Sequence, residues 1–152
     1  MNACYKSQQT IMIRRRVRLF FWPLLALLCC PLDTLAGVIA HAGVELRSLS
    51  IPSLRNIYTL RQTQWPDGQP IVVFVLPDDH PVHERFAKDT LGIYPYRLRQ
   101  IWDRQSYSGM AGAPIEVRNE IEMRTRVRST PGAIGYTSKD MAHEGIKTLK
   151  LD

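Results

Sequence analysis

Two stretches of the chain gather residue types able to hold an anion. Arg104-Gln105-Ser106-Tyr107-Ser108-Gly109 sets a guanidinium, two serine hydroxyls and glycine-freed backbone amides close together in sequence. Such a set suits a tetrahedral oxyanion, because the guanidinium supplies charge while hydroxyls and amides donate hydrogen bonds. Pro77-Asp78-Asp79-His80-Pro81 stands where a helix would begin. There, unpaired N–H groups and the positive end of the helix dipole favour a negative ligand. The candidate oxyanion contacts are therefore Arg104, Ser106, Ser108 and Gly109, with His80 and its helix start as a second wall. Each stretch also has a plainer reading. The first is a surface loop after an ordinary helix; in the second, Asp78 and Asp79 repel an anion unless they point away, and serve more simply as helix caps.

His80 and His83, with Asp78 and Asp79, are of the right types for Zn²⁺. Their i, i+3 spacing across a proline favours solvated histidines at a helix terminus over a metal site. No G-x-S-x-G, nucleotide loop or H-E-x-x-H occurs. The expected activity is binding rather than catalysis, with no cofactor and no metal.

Charge narrows the ligand class. Among 152 residues, 20 Lys and Arg against 14 Asp and Glu give +6. Five of the basic residues and one acidic residue lie in positions 1–36, which leaves a net of +2 for the remainder. That distribution argues against a strongly basic nucleic-acid binder, and no nucleic-acid partner is expected. Cys4, Cys29 and Cys30 all fall in the same leading segment, so the rest of the chain can form neither a disulfide nor a thiolate site.

That leading segment reads as an export signal. Arg14-Arg15-Arg16-Val17-Arg18 is a basic n-region and Leu19 to Cys30 an apolar core, too short at roughly a dozen residues to span a bilayer. Cleavage after Ala36 is preferred to the site at Ala40-His41-Ala42, since the later cut would remove a strand beginning at Gly37. Translation could start at Met12. The division expected is a signal peptide over 1–36 and an exported, periplasmic domain over 37–152.

The elements that must position the candidate residues follow from pattern. Val38 to Val44 predicts a short strand. Ser50 caps a helix starting near Ile51-Pro52, with Ile51, Leu54, Ile57 and Tyr58 on one face. Trp65-Pro66-Asp67-Gly68 is a turn. The apolar run Ile71 to Leu76 suits a strand buried on both faces. Pro81 opens a helix with Phe86 and Leu91 inward, closed by Gly92. Pro95 opens another, with Leu98, Ile101 and Trp102 inward and Arg97, Arg99, Gln100 and Asp103 outward. Ser106 to Pro114 reads as a glycine-rich loop. Asn119 caps a helix through Val127 that ends at Pro131-Gly132; its Arg124, Arg126 and Arg128 form a solvated face after Glu120 and Glu122. Ala133 to Thr137 is a strand, and Ile146 to Leu151 alternates as an edge strand would. Trp65 and Trp102 are expected to pack in the core or at its rim. Strands interleaved with helices give an α/β domain.

Ser50 to Tyr58, the run WPDGQPIVVFVLP from Trp65, the Phe86 helix and TPGAIGY at 130–136 keep one order along nearly all of 37–151. Together they resemble the short, phosphate-binding-like members of the type 2 periplasmic binding proteins, similar to substrate-binding proteins of phosphate ABC transporters. The resemblance implies a single lobe of that α/β fold, a mixed sheet flanked by helices, where full-length relatives close two lobes on phosphate. In those relatives an Arg-x-x-x-Ser-Gly-Thr turn grips the anion. Here Leu76 stands in place of the arginine and His80-Pro81-Val82 in place of Ser-Gly-Thr, while Arg104-x-x-x-Ser108-Gly109-Met110 recurs after a helix. The function implied is binding of phosphate or a similar small oxyanion for transport or sensing. One lobe supplies half a cleft, so a homodimer, a partner protein or folded loops would complete it. The rival reading is a ligand-free lobe that docks on a membrane sensor or transporter.

Overall fold

The computed structural model describes residues 36–108, 112–138 and 145–152, all within the unit Thr34–Asp152. Of the export signal expected over 1–36, all but Ala36 therefore lies outside the described residues, as does Gly109; of Ser108 only its place in a helix is described. Six strands form one sheet: β1 (Gly37–His41), β2 (Ser48–Leu49), β3 (Val72–Val75), β4 (Ile115–Glu116), β5 (Ala133–Thr137) and β6 (Ile146–Leu151), in the order β2-β6-β1-β5-β3-β4. β1 runs antiparallel to both β5 and β6, whereas β3 is parallel to β5 and β4, so the sheet is mixed. The helices are α1 (Ile51–Tyr58), α2 (Pro81–Arg85), α3 (Pro95–Ser108) and α4 (Glu120–Ser129).

β5 is buried along its whole length, which sets the layers. Alternate residues of a strand face opposite sides. Gly135 faces α4, where an added Cβ would lie 2.5 Å from the Met123 sulfur. Tyr136 faces the other way, stacked on Phe86 at 4.0 Å between ring centroids and tilted against Tyr58 at 5.9 Å. α4 thus covers one face of β5, and α1 and the helix from α2 cover the other. Trp102 joins α3 to α1 by donating its indole N–H to the Tyr58 carbonyl at 2.7 Å.

The motifs TPGAIGY and WPDG meet in space. Trp65 is 3% exposed and donates its indole N–H to the Gly132 carbonyl at 2.9 Å. Gly132 holds φ at +74°, and a Cβ there would lie 2.3 Å from the Pro70 carbonyl oxygen. Only glycine fits both the conformation and the contact.

The capping residues act as expected: Ser50 accepts from Ser53 N–H and Asn119 from Glu122 N–H. Four expectations are corrected. Ile146–Leu151 is not an edge strand, because the two-residue β2 pairs in parallel with Lys150 and Leu151. Ile51 is exposed, since the inward face of α1 begins at Leu54. α3 continues to Ser108, so Ser106 lies in the helix and not in a loop. His83 is buried rather than solvated. Beyond Arg85 the chain forms a π-helical turn over Phe86–Thr90, and the Leu91 N–H reaches back to the Phe86 carbonyl at 3.0 Å.

Candidate functional site

β3 and β5 run parallel, and their carboxyl ends open where an α/β sheet most readily holds a ligand. In this chain the donors there are spent internally. Pro81, first in α2, has no N–H, and the Val82 N–H is bonded to His80 Nδ1 at 3.2 Å. His80 therefore acts as the cap of a five-residue helix. Just past β5, Glu120 takes the Ser138 N–H at 2.7 Å and its hydroxyl at 2.8 Å. The protein's own carboxylate already sits where an external anion would find these groups.

Arg99, on α3, closes the same end. It grips Asp78 through two bonds of 3.0 and 2.9 Å and Glu116 through a third of 2.9 Å. Its guanidinium also lies 5.3 Å from the Trp102 ring centroid. The hydrogen bonds to Asp78, above all, hold it protonated beyond the ordinary arginine range. One cation neutralised by two carboxylates has little left for a ligand, and Asp79 adds further negative charge beside it.

Beneath this ion cluster, Tyr136 and His83 form a buried pair. The Leu76 N–H donates to the Tyr136 oxygen at 2.9 Å, and the same hydroxyl is hydrogen-bonded to His83 Nδ1. The other ring nitrogen of His83 is Nε2. That nitrogen has no hydrogen-bond partner and lies 3.7 Å from Asp78 Oδ1. Burial lowers the His83 pKa, against the opposing pull of Asp78. Burial likewise pushes Tyr136 well above the usual phenol range. Among the described residues no three His, Cys, Asp or Glu side chains gather to hold a metal ion.

The other candidate stretch lies at the C-terminal end of α3, so it is not a loop-to-helix junction. Its backbone offers carbonyls there, and the dipole is negative. Ser106 donates to the Trp102 carbonyl at 2.9 Å, one turn back. Arg104 stands apart from His80 and from the Asp78 cluster. It lines a groove of about 330 Å³ with Arg61, Arg97, Gln100, Gln105 and Thr59. Three arginines thus line one concavity, and none of the three makes an ion pair among the described residues. Arg61 and Arg97 escaped the sequence reading. Arg97 was legible in principle, since residues 97 and 104 are seven apart and share a helix face. Arg61, after the end of α1, carries no periodic signal.

No protein-family model matches the chain, and no match emerges among curated proteins. Solved structures do match. A Clostridium perfringens chain described as a phosphate ABC transporter substrate-binding protein, solved with bound phosphate, is 20% identical with a TM-score of 0.59; the match covers 77% of this chain and 44% of that one. An ABC-type phosphate transport receptor from Vibrio cholerae is 16% identical with a TM-score of 0.57, over 76% and 45% of the two chains. PstS from Borrelia burgdorferi is 17% identical with a TM-score of 0.57, over 77% and 47%. The fold is therefore that of one part of these binding proteins, and the chain spans less than half the length of the structures it matches.

Proposed function

We propose that the chain is an exported solute-binding-like lobe, not an enzyme, that binds phosphate or a similar small oxyanion at the groove lined by Arg61, Arg97 and Arg104. The observation carrying this reading is that three arginines, none of them in an ion pair among the described residues, line one concavity. Arginine forks match tetrahedral oxyanions and remain charged at any physiological pH. The fold's likeness to proteins described as phosphate-binding supports the ligand class. Arg104 is the central contact, and of the other expected contacts Ser106 is spent on the Trp102 carbonyl and His80 on its own helix; Ser108 and Gly109 stay proposed on sequence alone.

Isothermal titration with phosphate tests the assignment. Arg104→Ala should weaken binding by at least tenfold, about 1.4 kcal/mol, and Arg61→Ala should weaken it as well. Affinity unchanged in both variants would remove the groove from the account. Export rests on the basic and apolar run from Arg14 to Cys30. Cell fractionation should recover a shortened chain from the periplasm, and retention at full length in the cytoplasm would contradict it.

A second reading has its own support. The strand-end donors that would meet a ligand are occupied by His80, Glu120, Asp78 and Glu116. That closure suits a lobe that docks on a membrane transporter or sensor. Crosslinking in membranes should then recover a defined complex, and recovery of none across growth conditions counts against the reading.

A further inference from the structure

At the opposite end of α3 from Arg104, about 14 Å away along the helix axis, Tyr94 and Tyr96 stand out from the surface. They are 60% and 56% exposed, with ring centroids 6.0 Å apart and planes inclined by 31°. The backbone that carries the pair is fixed by hydrogen bonds. The Tyr94 carbonyl accepts the first bonds of α3, from Arg97 N–H at 2.9 Å and Leu98 N–H at 3.2 Å, and Pro95 separates the two tyrosines in sequence. Ile93 N–H is tied to the Ala87 carbonyl at 2.9 Å, which fixes the approach to the helix.

Across from the rings are Asp78, Asp79, Glu84 and Lys88, which with the tyrosines border a groove of about 410 Å³. Two of the three carboxylates are spoken for. Arg99 holds Asp78 at 2.9 Å, and Lys88 pairs with Glu84 at 3.3 Å. Asp79 is exposed and makes no ion pair among the described residues. The groove thus combines two exposed aromatic faces with one carboxylate that makes no ion pair among the described residues. Tyr96 already receives a cation intramolecularly, with the Arg97 guanidinium 5.5 Å from its ring centroid. An aromatic face beside a carboxylate attracts a cation that also carries apolar surface. The side chain of arginine or lysine has both.

We propose that this groove receives a basic side chain of a protein partner, the charged head against Asp79 and its methylene stem across Tyr94 and Tyr96. The inference rests on the interaction reading above and gives it a face; Arg97, which lines the arginine groove, is the residue the two sites share. The probe is the peptide acetyl-Gly-Arg-Gly-amide, with its citrulline counterpart as the uncharged control, titrated while the tyrosine ring resonances are followed. The arginine peptide should shift the Tyr94 and Tyr96 signals saturably, and added salt should weaken it. Asp79→Asn and Tyr94→Ala, both at exposed positions, should each weaken binding about fivefold. Equal binding of the citrulline peptide, or no saturable shift, would overturn the proposal. So would a crosslinked partner whose contacts avoid Tyr94, an outcome that would leave the interaction reading itself standing.

Discussion

Tyr136 ties three parts of the molecule through one oxygen. Its hydroxyl satisfies the Leu76 N–H and His83 Nδ1, while its ring stacks on Phe86. Tyr136→Phe keeps the stacking but strands two buried polar groups. Chemical denaturation should show a loss of about 1–3 kcal/mol, and a loss below ~0.5 kcal/mol would mean that water replaces the hydroxyl. His83 gives the molecule a pH dependence whose sign follows from its surroundings. Desolvation lowers its pKa below the ordinary 6.5; Asp78 and Glu116 oppose that shift, whereas Arg99 and His80 add to it. In acid the unfolded chain takes up this proton before the folded one does. Stability is therefore full above the ordinary value and is lost as the pH falls below it towards the folded-state value. Melting temperatures measured from pH 7 downward should decline through this window, and His83→Gln should flatten the decline. Glu122, held below its ordinary 4.5 by the Arg118 backbone and guanidinium, acts only in stronger acid, so the two effects separate. An identical slope with and without His83 would transfer the effect to another group.

At the scale of elements, the run TPGAIGY is explained by packing. Gly132 meets the Pro70 carbonyl and receives the Trp65 indole, Gly135 makes room for Met123 and Val127, and Tyr136 serves the other face. Gly132→Ala should destabilise the chain by more than about 1 kcal/mol, read as a melting point lower by several degrees. Gly68→Ala, at φ +86° but with open space around the added carbon, should have the smaller effect. If the order is reversed, the close approach to Pro70 is not what requires glycine at 132. The same contrast explains what could be read in advance. β3 announced itself as an unbroken apolar run between prolines, and Ser50 and Asn119 announced the caps of α1 and α4. β2 and β4 have two residues each and carry no periodicity. With β2 invisible, β6 looked like an edge. The extension of α3 to Ser108 was hidden because serines and glycine near a helix end also spell a loop. The arginine groove was half legible: helical spacing joins Arg97 to Arg104, but only the folded chain brings Arg61 beside them.

For the whole molecule, the matched structures are more than twice as long as the matched part of this chain, and two possible binding faces lie at the two ends of α3. The acidic strand end separates the protein from any simple transfer of a ligand site by fold alone. Its ion cluster fills the place with the chain's own charges, whereas the arginine groove is a concavity suited to an anion. The account stands or falls on whether such an anion binds. The deciding measurement is the thermal melt of the purified protein titrated with phosphate, sulfate and nitrate at constant ionic strength. A ligand at a hundred times its Kd adds about 2.7 kcal/mol of stability, a rise of several degrees for a domain of this size. The account predicts a saturable rise with phosphate that disappears in the Arg61→Ala, Arg104→Ala double variant. No rise with any anion up to millimolar concentration, or a phosphate response that survives both substitutions, would contradict it.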